Sequence, residues 1–245
     1  MSSKRAAIVL AAGKGKRMRS DLPKVLHPIH GRPMIRILLD TLESLDLERI
    51  VVVVGFKGEM VEQELRGEPV EIAWQHQQEG TGHAVRMTES LMADFDGTTL
   101  IALGDVPFLS AASIRSLLDL HESSGAAATC LSAFPEDPAG YGRIIRDGDT
   151  DLLKEIVEHK DATAEQLKIG EINSGTFCFD NRLMFKALTK VGNDNAQKEY
   201  YLPDAVKILR AEGHRVAVVA ADDADECLGV NSVEQLEQLA AKFDK

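Results

Sequence analysis

Short runs of aliphatic and β-branched residues alternate with segments of helical spacing through the first half of the chain, and this alternation restricts the fold more than any other feature. Ala6–Leu10 (AAIVL) is uncharged, continuous and too brief for a surface helix, which suits a strand buried on both faces. IVVVVG (50–55) precedes the helix-like EMVEQEL, VEIAW (70–74) precedes GHAVRMTESLM, and TLIALGD (99–105) precedes AASIRSLLDLH. The pattern predicts βαβ units, hence an α/β fold with a mostly parallel sheet and helices on both faces. From Ala126 the rhythm changes. AAATCLSA, GRIIRD, LLKEIVEH and INSGTFCFD read as strands joined by turns, an antiparallel addition or smaller lobe. Turn signals at Pro135, Pro138 and Gly140–Gly142 separate them, but no linker composition divides the chain, so one domain of two lobes is expected. SVEQLEQLAAKF, with Ser232 as N-cap, predicts a C-terminal helix over 232–245.

The 245 residues, 44% hydrophobic and 27% charged, suffice for a substantial core. A net charge of −11 argues against general nucleic-acid binding, which needs a basic face to displace counterions. The sequence has no apolar stretch of about 20 residues and no apolar leader, so the reading is a cytoplasmic protein without a membrane partner. Cys130, Cys178 and Cys227 have neither disulfide nor zinc spacing and read as packing residues. The seven histidines show no metal-binding spacing, so any catalytic metal is expected on oxygen ligands.

Directly after the first apolar run comes LAAGKGKRMRSDLPK (10–24), two glycines and five basic side chains in one loop. A loop at the carboxyl end of a strand is where open α/β sheets bind ligands, and convergent peptide N–H groups there suit phosphate. Two familiar phosphate motifs do not fit. The third glycine of G-x-G-x-x-G is replaced by Met18, the second strand ends in Gly55-Phe56-Lys57 without a ribose-binding acid, and G-x-x-x-x-G-K-[ST] is absent.

The string L-A-A-G-x-G-x-R-M followed by L-P-K resembles instead the signature of sugar-phosphate nucleotidyltransferases. The resemblance continues in order through QHQQEGTGHA (75–84), LGDVP (103–107), GYGRI (140–144), IVEHKDAT (156–163), EINSG (171–175), NAQKEYYLPD (195–204) and GVN (229–231). Within that family the islands are similar to the N-acetylglucosamine-1-phosphate uridylyltransferase domains of bacterial bifunctional enzymes. The resemblance implies a Rossmann-like, GT-A-like fold with a small antiparallel sugar-binding lobe. It also implies one domain over 1–245, with about 1–125 serving the nucleotide and about 126–231 the acceptor sugar. Bifunctional relatives continue into a hexapeptide-repeat β-helix, which this sequence lacks, so a monomer or weak dimer is expected.

The implied reaction converts UTP and N-acetylglucosamine-1-phosphate into UDP-N-acetylglucosamine, a peptidoglycan precursor, and pyrophosphate. The resemblance assigns Leu10, Ala11, Ala12, Gly13 and Gly15 to the nucleotide phosphates, with Arg17 stabilising the departing pyrophosphate and Lys24 near the reacting phosphorus. Asp105 and Asn231 match the family's Mg²⁺ ligands, Gln75, Gly80 and Thr81 its base contacts, and Gly142, Glu158 and Asn173 its sugar contacts. Leu103 stands where relatives often carry Tyr. Two alternatives remain at this stage: the same chemistry on another sugar phosphate or nucleotide, distinguished by a substrate panel, and a nucleotide-sugar sensor without turnover, distinguished by pyrophosphate release.

Overall fold

A computed structural model describes residues 4–148 and 150–243, so positions 244 and 245 of the expected C-terminal helix lie outside the described residues. The first half runs β1 (Arg5–Ala11), a small ribbon of β2 (Pro28–Ile29) and β3 (Arg32–Pro33), α1 (Met34–Glu43), β4 (Arg49–Val54), α2 (Gly58–Glu64), β5 (Glu71–Trp74), α3 (Thr81–Arg86), α4 (Glu89–Met92), β6 (Thr98–Leu103) and α5 (Ala111–Ser124). The second half follows with β7 (Ala128–Ala133), β8 (Arg143–Arg146), β9 (Leu153–Val157), β10 (Ile172–Asp180), α6 (Asn181–Leu188), α7 (Leu202–Ala211), β11 (Val216–Ala220) and α8 (Val233–Lys242).

The main sheet has the order β11-β7-β10-β6-β1-β4-β5. β1 lies at its heart, parallel to β4 (Val9 opposite Val52) and to β6 (Val9 opposite Ala102). Its side chains alternate between two cores, which explains the unbroken apolar run. Ala6, Ile8 and Leu10 face a cluster that includes residues of α3, α6 and α7, while Ala7, Val9 and Ala11 face one that includes residues of α1 and α5. The fold is therefore α/β with helices on both faces, as the alternation predicts.

The second half is woven into the sheet more closely than a separate lobe would be. β10 is inserted antiparallel between β6 and β7, and β11 runs parallel to β7 at the edge. All six residues of β7 are buried, as a strand covered on both faces requires. The β8–β9 hairpin lies off the main strand path, joined to β10 through Arg143 opposite Ile172 and to β11 through a bridge between Leu152 and Ala217. GHAVRMTESLM divides into two helices because the Thr88 hydroxyl donates to the Val85 carbonyl at 2.7 Å, offering the backbone a local partner at the break. All three cysteines are buried and unbonded to one another.

A third apolar cluster positions the site. Met18, Ile29, Met34, Val230 and Leu239 are buried together, and Phe243 stacks on Phe108 at 4.0 Å between ring centres. α8 thus lies across both the basic loop and the segment before Asn231.

Candidate active site

β1 and β6 end side by side, with the Gly104 N–H donating to the Leu10 carbonyl at 2.9 Å, so the basic loop and Asp105 emerge together. β4 ends at Gly55, where a Cβ would fall 2.8 Å from Ala12 Cβ and 2.9 Å from the Gln75 carbonyl oxygen. Only a residue without a side chain lets the loop and Gln75 approach this closely. The ends of β1 and β6, with Gln75 just beyond β5, line a cavity of about 680 Å³. Leu10, Ala11, Ala12, Gly13, Lys24, Gln75, Gly80, Thr81 and Asp105 all line it.

Gly15 and Arg17 are not among those lining residues. Gly15 works from behind: its backbone is left-handed (φ 57°), and a Cβ there would sit 2.7 Å from Lys24 Cβ. Arg17 is exposed on the one-turn helix Lys16–Met18, while its neighbour Met18 is fully buried. The turn is anchored by Met18 and leaves Arg17 exposed to solvent.

The charged end of the cavity is a three-residue cluster. The Lys24 ammonium pairs with the Asp105 carboxylate and donates to Asn231 Oδ1 at 3.0 Å. Among the described residues no group of three or more His, Cys, Asp or Glu side chains forms a metal cage. A carboxylate and an amide oxygen sharing one ammonium do, however, form a place where positive charge is favoured. That donor set fits Mg²⁺, which takes few protein oxygens and keeps its remaining positions for water and phosphate.

Gln75 is buried, and its Nε2 donates to the Gly80 carbonyl at 3.0 Å and approaches His83 Nδ1 at 3.1 Å. Both amide hydrogens are thereby engaged, which leaves Oε1 with acceptor capacity on a wall of the cavity. His83 belongs to the quoted QHQQEGTGHA island, but its role in orienting Gln75 becomes visible only when Gln75 and α3 are brought together. Gly80 has φ 107°, and a Cβ on it would lie 2.6 Å from the Tyr200 carbonyl. That carbonyl accepts from Gly82 N–H at 2.8 Å, and Thr81 Oγ1 accepts from Leu202 N–H at 3.0 Å, so the NAQKEYYLPD segment braces the loop that carries Gly80 and Thr81.

Gly142, Glu158 and Asn173 line a second cavity of about 180 Å³, which shares Leu10, Thr81 and Leu103 with the first. Leu103 is therefore part of the wall between them. Asn173 N–H donates to the Gly142 carbonyl at 2.9 Å, and a Cβ on Gly142 would meet Glu158 Oε1 at 3.3 Å. Burial, reinforced by Asp161, Asp204 and Glu199, pushes the Glu158 carboxyl up to about 7. The loop before Gly142 is held from beneath by buried Arg143, whose Nη1 donates to the carbonyls of Pro138 (2.7 Å) and Tyr141 (2.6 Å). Tyr141 itself contributes to the wall of this cavity. Neither residue has a role that its local sequence reveals.

Residues 7–167 match the MobA-like NTP transferase domain family. The bifunctional protein GlmU of Bacillus cereus strain G9842 is 49% identical over 236 residues, 96% of this chain and 51% of that protein. GlmU of Bacillus anthracis gives the same identity and coverage. The chain thus spans about half the length of the curated relatives it matches. A crystal structure of UDP-glucose pyrophosphorylase complexed with UDP-glucose superposes with TM-score 0.79 at 18% identity, covering 98% of each chain. HddC from Yersinia pseudotuberculosis, complexed with GMP-PN, gives 0.70 at 18% identity, covering 97% of this chain and 99% of the other. At such identities the likeness is one of fold.

Proposed function

This chain belongs to the MobA-like NTP transferase family and is a nucleotidyltransferase; from that premise we propose that it joins UTP to N-acetylglucosamine-1-phosphate, releasing pyrophosphate. The observation that carries the reading is the pair of adjoining cavities with Lys24 and Asp105 on the nucleotide side and Gly142, Glu158 and Asn173 on the other. Support for the base and the sugar comes from the ordered sequence islands that contribute those walls. The 49% identity to GlmU proteins over 96% of this chain points the same way.

In the proposed reaction an acceptor phosphate oxygen attacks the α-phosphorus of UTP while the bond to the β-phosphate breaks. The nucleophile is already anionic, so the protein needs no general base. It must align the groups and offset their charge. Peptide N–H groups of Ala12 and Gly13 receive phosphate oxygens, Gly15 lets the loop close against Lys24, Arg17 meets the leaving pyrophosphate, and Lys24 faces the reacting centre. Asp105 and Asn231 would hold Mg²⁺, which when bound supplies positive charge to phosphate oxygens. Gln75 Oε1 accepts from the uracil N–H. On the acceptor side, Glu158 and Asn173 present hydrogen-bonding groups to sugar hydroxyl and acetamido groups.

Pyrophosphate release with UTP, Mg²⁺ and a panel of sugar 1-phosphates tests the proposal. We expect N-acetylglucosamine-1-phosphate to be preferred to glucose-1-phosphate, and EDTA to abolish turnover. Equal rates with both sugars would reject the acceptor assignment, and binding without pyrophosphate release would favour a sensor.

A further inference from the structure

The segment carrying Asn231 is fixed by three consecutive backbone amides, each held by a different part of the molecule. Gly229 N–H donates to Tyr141 Oη at 3.1 Å, Val230 N–H to the Asp105 carbonyl at 2.9 Å, and Asn231 N–H to Gln235 Oε1 at 2.8 Å. Asp105 belongs to the nucleotide cavity and Gln235 to α8, but Tyr141 belongs to the acceptor side. It lines the smaller cavity beside Gly142, and its main chain is tied down by Arg143. Its hydroxyl therefore joins the wall of the acceptor cavity to the strip of backbone that presents Asn231 to Lys24. The ring is half-buried against the core that includes Val9 and Ala102, which fixes the direction of the hydroxyl relative to the Gly140–Gly142 loop.

We propose that Tyr141 is a positioning residue through which a hexosamine 1-phosphate in the acceptor cavity sets Asn231 against Asp105 and Lys24. The proposal rests on the acceptor reading given above. Acceptor binding orders the Gly140–Gly142 loop, the loop seats the phenol, and the hydroxyl holds Gly229 N–H. The Tyr141–Gly229 bond and the Lys24–Asp105–Asn231 cluster are formed without ligand, and acceptor binding holds them more firmly. Coupling of this kind needs a physical element that both sites bias, and the Tyr141–Gly229 hydrogen bond is that element.

Tyr141→Phe keeps the ring and removes the bond. Amide hydrogen exchange, followed by NMR in EDTA with N-acetylglucosamine-1-phosphate as the probe, separates the possible outcomes without turnover and without a metal to bridge the sites. Without ligand, the Gly229 amide should exchange about tenfold faster in the variant, the scale expected for loss of one hydrogen bond. With ligand, the amides of Gly142 and Asn173 should slow in both proteins, whereas those of Gly229 and Asn231 should slow only in the native one. Equal slowing of Gly229 in both proteins, or slowing in neither while Gly142 responds, overturns the coupling. No response at Gly142 and Asn173 overturns the acceptor assignment and the coupling with it, although the unliganded comparison still tests the bond itself. In steady state the variant should need roughly threefold or more Mg²⁺ for half-maximal rate, and should add nothing in an Asn231→Ala background. Additive effects in that background would place the action of Tyr141 elsewhere.

Discussion

At the scale of single residues, the site divides into groups that act through charge and groups that act through shape. Asp105→Asn preserves size but removes the negative charge facing Lys24 and any bound cation. Turnover should fall on the order of 100-fold or more, with a raised Mg²⁺ requirement, in steady-state kinetics at varied Mg²⁺. Gln75→Ala leaves the reacting end intact and leaves the Gly80 carbonyl and His83 Nδ1 without their partner. It should chiefly raise the UTP KM, by about 1–3 kcal/mol of lost binding, and relax discrimination among nucleotides. Glu158 gives a pH signature. Well below the ordinary carboxyl value of 4.5, folded and unfolded states are both protonated and the group is neutral in its effect. As pH rises from there to about 7, the unfolded carboxyl ionises while the buried one retains its proton, so stability is lost and the loss levels off above that range. Glu158→Gln should therefore gain stability relative to the native protein across this window, on the order of 3 kcal/mol at its upper end. Urea midpoints of both proteins at pH 4.5 and pH 8 read the difference, and parallel pH curves would contradict it.

At the scale of elements, α8 is a clamp rather than a tail. Leu239 is 4% exposed and shares a cluster with Met18 and Val230. Leu239→Ala should cost about 2–4 kcal/mol in denaturant unfolding, and should also loosen the basic loop, seen as faster exchange of the Met18 amide. A stability loss without any change at Met18 would mean that the helix supports only itself. The helix and its Ser232 cap were legible in the sequence because spacing and capping are local, and so were β1, β4 and β6. The strand runs after Ala126 were legible too, but their partners were not. No local pattern says that β10 enters between β6 and β7, because the sheet order is decided by which apolar faces can be covered together. The same limit applies within the site. The motifs singled out Gln75, Lys24 and Asp105, whereas Gly55, His83 and Tyr141 owe their roles to neighbours reached through the sheet. Tyr141 and Gly229 meet across 88 positions of sequence.

At the scale of the whole molecule, the first half of the chain and the half proposed to hold the acceptor share one sheet. β6 pairs with β10 through Phe177 opposite Ile101 and Cys178 opposite Leu100, so neither half closes its core without the other. Thermal unfolding should show a single transition by circular dichroism and by fluorescence of Trp74, with coincident midpoints; two separated steps would show independent halves. The clamp also sets a chronology. His30 and Ala240 touch across 210 positions, and the loop from Ala12 to Met18 lies earlier still. On a ribosome adding about 5–20 residues per second, the loop emerges roughly 10–40 s before the helix that secures it. A nascent chain thus carries its most basic segment unsecured until α8 emerges to hold Met18 in place.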